Sequence, residues 1–443
     1  MKIISNLCFT LLLIYHSLAV AAKPPDQSRQ LIGHGGPVNS VAISPDGKQA
    51  ISGSLDYSVM LWDIDQPKPV NTKRLIAHRG AVSKVRFLPS GKEALSSGDD
   101  GTIYLWDVVN QRLLHRFEGH EAKIVSLDFT ADSKILASAS WDGTVRLWDL
   151  PNRKALQTIK VHKETVHSVL LSADGKAVYS GSFDGRIRNY RTEDGSLSKV
   201  LHNHGWPVNI MRWHPDHQHI IFGTTNGDVQ LLDTTSAQIT KILIPHQKPV
   251  LGLEVSDRYG LIATGGNDGV IRVWDINDWS VVGETEGIPG PVWALAFTAD
   301  GKGLYFGTLD DQVKYWKISA ADDTQWGRGK KQRRFQVTKG LPLGELQFAR
   351  KCSVCHSLKP GETNRAGPSL YKVLGRKAGS LSEYPYSNSL LASNLVWNEQ
   401  NINDLFVKGP HAVVPGSKMP LQKIPDAEKR AALIEFLRNS KAE

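Results

Sequence analysis

The sequence predicts a chain of two unlike parts, an all-β region built from seven copies of one strand unit and a smaller helical region that follows it. Three observations carry this. A step of about 42 residues runs through the first two thirds of the chain, and the repeat stops near Ser319. Beyond that point "RKCSVCHSL", residues 350–358, holds two of the only three cysteines.

The N-terminal segment has one charge, Lys2, an apolar run from Ile3 to Val20 and a small-residue end at Ala21-Ala22 before "KPPDQS". This is the pattern of a secretory signal peptide, residues 1–21, cleaved after Ala21 or Ala22. Cys8 lies within the apolar run and leaves with it, so Cys352 and Cys355 are the cysteines expected in the mature chain. No later apolar run approaches the ~20 residues that span a bilayer. The length allows two or three domains.

The formal charge of +9 is unevenly placed: residues 23–318 carry −1, residues 319–340 carry +4 and residues 341–443 carry +5. A basic total would suit nucleic acid, but the large repeat region is neutral, which argues against a nucleic-acid partner. The basicity belongs to the last quarter.

The repeat aligns on Trp62, Trp106, Trp148, Tyr190, Leu232, Trp274 and Trp316, with a first step of 44 and five steps of 42. A second marker keeps the same steps at His34, His78, His120, His162, His204 and His246, with Ile288 in the seventh slot. Each unit shows three alternating, β-branched-rich runs separated by Gly/Asp turns, as in Val38 to Ser44, Gln49 to Leu55 and Ser58 to Ile64. A fourth run, such as Lys73 to Ala77, precedes the next histidine.

Segments such as "SGSLDYSVMLWD" and "SASWDGTVRLWD" resemble the WD-repeat β-propeller family across residues 22–318. The resemblance implies a ring of seven blades, each burying faces that its neighbour exposes. It also implies a structural relay of His, Ser/Thr, Asp and Trp in each blade. Complete sets occur as His34, Ser52, Asp56, Trp62; His78, Ser96, Asp100, Trp106; His120, Ser138, Asp142, Trp148; and His246, Thr264, Asp268, Trp274. They look like hydrolase triads, but a group repeated on blade after blade is architecture. Blades five and seven carry Phe222, Leu232 and Ile288 in relay slots and are the expected weak points. By the same resemblance the spare run Gln27 to Ile32 pairs with the last blade and closes the ring. One turn departs from its sisters: "HPDHQH" places His214, His217 and His219 where other blades read "SPDGKQ", an exposed polar turn or a copper or zinc site.

Residues 319–340 lose the blade pattern and contain "GRGKKQRR". A basic connector is expected, able to meet an acidic partner or to associate peripherally with anionic lipid headgroups.

In Cys352-Ser353-Val354-Cys355-His356 the spacing suits zinc ribbons, thioredoxin-like sites and haem attachment alike; the adjacent His discriminates. Zinc needs further Cys or a spaced His pair, and no other cysteine is expected in the mature chain. A thioredoxin-like site needs a strand before the pair, whereas "LGELQFARKCSVCHSL" reads as helix. One covalent haem c is therefore expected, with His356 as axial ligand. Of four methionines only Met419, in "PGSKMP", lies in this region, and it is the expected sixth ligand, with His411 as rival.

Residues 341–443 resemble soluble mitochondrial-type class I cytochromes c through "GPSLYKVLGRKAG" and "VPGSKMP". The resemblance implies an all-α domain in which the Pro368 carbonyl orients His356 and in which Arg376, Tyr386 and Trp397 hydrogen-bond a haem propionate. It further implies a helix crossing formed by Gly344, Phe348, Leu433 and Phe436. Two departures stand out: Phe406 occupies the slot of a tyrosine bonded to the Met sulfur, and one residue is inserted between it and the haem His.

These readings together predict a periplasmic monohaem cytochrome that transfers single electrons rather than catalysing a reaction. Its propeller would serve as a docking platform, and its redox partner would present an acidic face. The charge difference also suggests that the basic C-terminal part docks on its own near-neutral ring. Two alternatives stay open: an oxidoreductase whose propeller binds a substrate or second cofactor, and a haem-linked sensor or assembly factor.

Overall fold

The computed structural model describes residues 28–160, 162, 164–285, 287–318, 340–353, 355–360, 367–382, 384, 386, 388–414, 419 and 424–440. The expected signal segment and the basic stretch "GRGKKQRR" lie outside the described residues.

Seven four-stranded antiparallel sheets follow one another along the chain. Blade one shows the pattern, with β2 (Val38–Ile43), β3 (Gln49–Ser54), β4 (Ser58–Asp63) and β5 (Val70–Ile76). The fourth strand begins earlier than the run from Lys73 suggests, because Val70 to Asn71 already pair with β4. The apolar clusters cross from blade to blade. Ile51, Val59 and Leu61 of blade one are buried with Val82, Val85 and Trp106 of blade two. A single blade would leave those residues in water, which is why the unit must be repeated in a ring. Gly53 is needed at this seam, since a Cβ there would collide with Val82.

The ring closes through the N-terminal strand. β1 (Leu31–Ile32) pairs antiparallel with the last strand of blade seven, Leu31 opposite Val313 and Ile32 opposite Gln312. The paired stretch is shorter than the expected run from Gln27, which itself lies outside the described residues. Leu31 is fully buried, and Trp293 Nε1 donates to the Val38 carbonyl at 2.6 Å, tying blade seven to blade one.

The relay is built as a chain of hydrogen bonds. In blade one Trp62 Nε1 donates to Ser52 Oγ at 2.8 Å, Ser52 Oγ lies 2.7 Å from His34 Nε2, and His34 Nδ1 faces Asp56 at 3.2 Å. Because Ser52 accepts from the indole, its proton goes to Nε2 and the imidazole donates from Nδ1 to the carboxylate. Blades two and three repeat this at Ser96 and Ser138, and His246 joins Thr264 to Asp268 in blade six. Burial alone would raise the Asp56 carboxyl, but the Arg74 guanidinium at 2.7 Å and His34 hold it well below the usual range.

Blade four inverts the relay, which its Tyr190 alone does not foretell. Arg188 inserts between His162 and Asp184, donating to His162 Nδ1 at 2.7 Å and to Asp184 at 2.7 Å. The proton of His162 therefore sits on Nε2, toward Ser180 Oγ at 2.7 Å. In blade five Phe222 and Leu232 replace the relay by fully buried apolar packing.

The C-terminal part contributes α1 (Leu343–Lys351), α2 (Asn388–Leu391), α3 (Glu399–Val407), α4 (Pro410–Val413) and α5 (Ala427–Asn439). A capping box of Asn398 and Asn401 starts α3, and the Asp426 carboxylate accepts from the first-turn amides of α5. Helices α1 and α5 cross at Gly344, where a Cβ would collide with the Ala432 carbonyl, and the Phe348 ring packs at an incline against Phe436, 5.5 Å between centroids. Leu433 is fully buried beneath them, as the resemblance to cytochromes c implies for this crossing.

Candidate functional site

The C-terminal helices surround a cavity that is partly open to solvent. Its lining is mostly apolar, with Leu370, Val373, Ile402, Leu405 and Phe406 among the walls. Every sequence-expected residue is on it: Cys352, Cys355, His356, Pro368, Arg376, Tyr386, Trp397 and Met419.

Helix α1 delivers the two thiols. It ends at Lys351, and the Cys352 amide closes the last turn onto the Phe348 carbonyl at 2.9 Å. The chain then turns tightly, with the Cys355 and His356 amides 3.0 and 2.8 Å from the Cys352 carbonyl. Two intervening residues thus bring both sulfurs and the imidazole to one wall. The thiols form no disulfide with each other. Burial, and then the neighbouring Cys355, push the Cys352 thiol up to about 12. A redox-switch cysteine requires the opposite shift.

His356 is oriented before any ligand arrives. Its Nδ1 donates to the Pro368 carbonyl at 2.8 Å, which makes Nε2 the nitrogen with the lone pair of a neutral imidazole. Gly367 lies against the ring so closely that a Cβ there would collide with it. Met419 lies in the same cavity, whereas the side chain of its rival His411 is outside the described residues. Arg376 donates to the carbonyls of Tyr371 at 3.0 Å and Ser369 at 2.5 Å, so the guanidinium also ties together the segment carrying Pro368. The backbone of Trp397 pairs with that of Arg376 at 3.0 Å, holding their two segments side by side. Tyr386 packs edge-on to Tyr384 at 4.8 Å. Phe406 is buried on the wall, with no hydroxyl to offer a sulfur ligand.

The donor set fits a covalently held haem. Two thiols share a wall, an imidazole has its far nitrogen tied back, a thioether lies in the same cavity, and the remaining surface is greasy enough for a flat apolar macrocycle. Sequence reasoning missed Tyr57 of blade one and Tyr384, which also line the cavity. Tyr57 could have been noticed, because five sister blades carry glycine at its position.

The histidine-rich turn of blade five assembles differently from expectation. His214 and His219 converge on Asp216, at 3.0 and 2.7 Å from one carboxylate oxygen, while His217 occupies a left-handed position at φ 52° and is outside the cluster. His214 takes the slot of Ser44 in blade one, whose hydroxyl donates to Asp46 at 2.5 Å, so the contact repeats an ordinary turn bond.

Comparison with known proteins divides along the same line. The family described as "IFT122 first beta-propeller" matches residues 81–335, more than half of the chain, and "WD domain, G-beta repeat" matches residues 25–63. The cytochrome c2 of Agrobacterium tumefaciens is 39% identical over 97 residues, 21% of this chain and 86% of that protein. The cytochrome c2 of Blastochloris viridis is 33% identical over 100 residues, 23% of this chain and 77% of that protein. Cytochrome c of Arabidopsis thaliana is 33% identical over 94 residues, covering 83% of its length. The chain therefore belongs to the WD40-type seven-bladed β-propellers through its repeats and to the class I cytochromes c through its C-terminal region.

Proposed function

We propose that this protein is a monohaem c-type cytochrome that transfers single electrons, with the propeller as the platform that meets its redox partner. Homology to cytochrome c implies a covalent haem c and electron transfer. The observation that carries the assignment of residues is the convergence of Cys352, Cys355, His356 and Met419 on one apolar cavity. Bound there, the haem supplies a one-electron change at iron. Cys352 and Cys355 would hold it through thioether bonds, and His356 Nε2 and Met419 would be its iron ligands. Pro368 orients the imidazole, and Arg376, Tyr386 and Trp397 on the cavity wall would donate to a haem propionate.

The platform reading is supported by exposed aromatics at one rim of the ring. Trp141 and Phe183 are half exposed, in the turns equivalent to that of Leu55 and Tyr57. His167 bridges them at 6.3 and 5.9 Å. Large exposed aromatics at one rim are what a protein-binding surface offers. A partner with an acidic face would be steered by the basic C-terminal part. Among the described residues no helix is long and apolar enough to cross a membrane; we place the protein in the periplasm on the signal-like segment before residue 22.

The test is expression with a periplasmic haem-attachment system, followed by an alkaline pyridine spectrum and a redox titration. One c-type haem per chain and a reversible one-electron wave are expected. A chain that carries no haem sinks the proposal, and so does a haem that shows no reversible one-electron wave. Capture of the redox partner by wild type but not by Trp141→Ser/Phe183→Ser would support the platform; equal capture would refute it.

A further inference from the structure

Tyr57 lies in the propeller yet lines the cavity assigned above to the haem. It sits in the turn between β3 and β4, at a slot that reads Gly101, Gly143, Gly185, Gly227 and Gly269 in blades two to six. Those glycines all have left-handed backbones, with φ between 67° and 102°. Side chains are also crowded out there: a Cβ on Gly101 would come 2.6 Å from the His120 carbonyl of the next blade, and one on Gly185 would come 3.0 Å from the Trp206 carbonyl. Tyr57 keeps the same conformation at φ 68°, which a bulky L-residue adopts only at an energetic cost. A residue held in such a position against local preference points to a role elsewhere in the molecule.

Its surroundings supply one. Tyr57 is half-buried and shares a cavity wall with Cys355 and Tyr384. Burial, and then Cys355, push its phenol well above the usual range. Tyr384 in turn feels the Arg74 guanidinium of β5, and Arg74 is anchored at 2.7 Å to Asp56, the residue before Tyr57. Asp56 is the relay carboxylate of blade one, so this seat is wired to the most buried part of the blade. Tyr57 of the ring therefore lines one cavity with Cys355 and Tyr384 of the C-terminal part, and Arg74 lies near enough to act on Tyr384.

We propose that blade one is the seat of the cytochrome region and that Tyr57 caps the haem cavity on its Cys355 side, so that the propeller is part of the haem's environment. The inference rests on the haem reading of that cavity. A ring that keeps water from the haem edge lowers the local dielectric, which disfavours the more highly charged oxidised centre and raises the reduction potential. A partner reaching the haem across this edge meets the propeller rim at the same time, which gives a one-electron carrier a use for seven blades.

Tyr57→Gly tests this in the full chain, because it installs the residue that five sister turns already use and relieves the left-handed strain. The variant is expected to unfold at the same or a higher temperature than wild type while its reduction potential falls. Tyr57→Phe, which keeps the ring, should hold the wild-type potential. A 3-fluorotyrosine placed at position 57 should show a fluorine resonance that moves between the reduced and oxidised protein, since oxidised haem iron is paramagnetic. Loaded protein with an unchanged potential in Tyr57→Gly and a redox-insensitive fluorine signal overturns the inference and leaves the cytochrome reading standing. Wild-type protein with no haem at all overturns both.

Discussion

The Nδ1 of His356 donates to the Pro368 carbonyl oxygen at 2.8 Å, although twelve positions separate the two residues in sequence. That single bond fixes which imidazole nitrogen faces inward, and Met419 is the thioether that shares the cavity with it. His/Met ligation raises the reduction potential above that of bis-His haems. Met419→Ala should therefore lower the potential and abolish the weak sulfur-to-iron absorption at the red end of the visible spectrum. A wild-type protein that lacks this band, with spectrum and potential unchanged in the variant, would transfer the ligand role to His411.

Gly344 is expected to tolerate no side chain. A Cβ at this position would collide with the Ala432 carbonyl of α5 and come 2.7 Å from Phe436 Cβ. Backbone carbonyls cannot rotate away, so α1 and α5 must separate. Overpacking of this kind costs typically ~1–3 kcal/mol. Gly344→Ala should destabilise the C-terminal region by that order in calorimetry, and the propeller transition should stay where it is. A C-terminal transition at the wild-type temperature would show that the helices cross elsewhere.

How far the sequence discloses these features depends on how local their causes are. The relay of His34, Ser52, Asp56 and Trp62 is legible because four blades bury the same group and so repeat the same letters. Met419 is legible by counting, since no other methionine is near. Pro368 is visible only through resemblance, because a backbone carbonyl leaves no mark on residue type. The insertion of Arg188 into the blade-four relay could not be read: a long side chain on a strand can point to solvent as easily as inward, and packing decides. The same holds for Asp216 in place of His217, where a left-handed turn swings the middle imidazole out of the cluster. Tyr57 is an intermediate case. Its departure from glycine is printed in the sequence, but its partner belongs to another part of the chain.

Ring closure should be measurable at Leu31. This residue pairs with Val313 and is fully buried among Val38, Trp62 and Tyr315. Replacing a buried Leu by Ala costs about 2–5 kcal/mol through lost transfer and the cavity left behind. Leu31→Ala should lower the propeller's unfolding temperature, whereas Ile32→Ala on the exposed side of the same short strand should change it little. Equal behaviour of the two variants would mean that β1 does not hold the ring together.

His162 should make the ring sensitive to mild acid, and the sign follows from its partners. Burial, and then the Arg188 guanidinium, push this imidazole down to about 4, from an ordinary value near 6.5. The folded blade keeps His162 neutral because its Nδ1 already accepts from Arg188. The unfolded chain, in contrast, takes up a proton below about pH 6.5, so it binds more protons than the folded state between pH 6.5 and about 4. Stability is fully present above that window and declines as pH falls through it, by at most on the order of 3 kcal/mol. Asp268 acts later: burial would raise it, but His246 outweighs burial and brings it to about 2, so its contribution is lost only below the ordinary carboxylate range. Thermal unfolding followed from pH 7 to pH 4 should show this decline, and His162→Gln should lower stability at pH 7 while flattening the slope. A slope that survives the substitution would assign the acid sensitivity to another group.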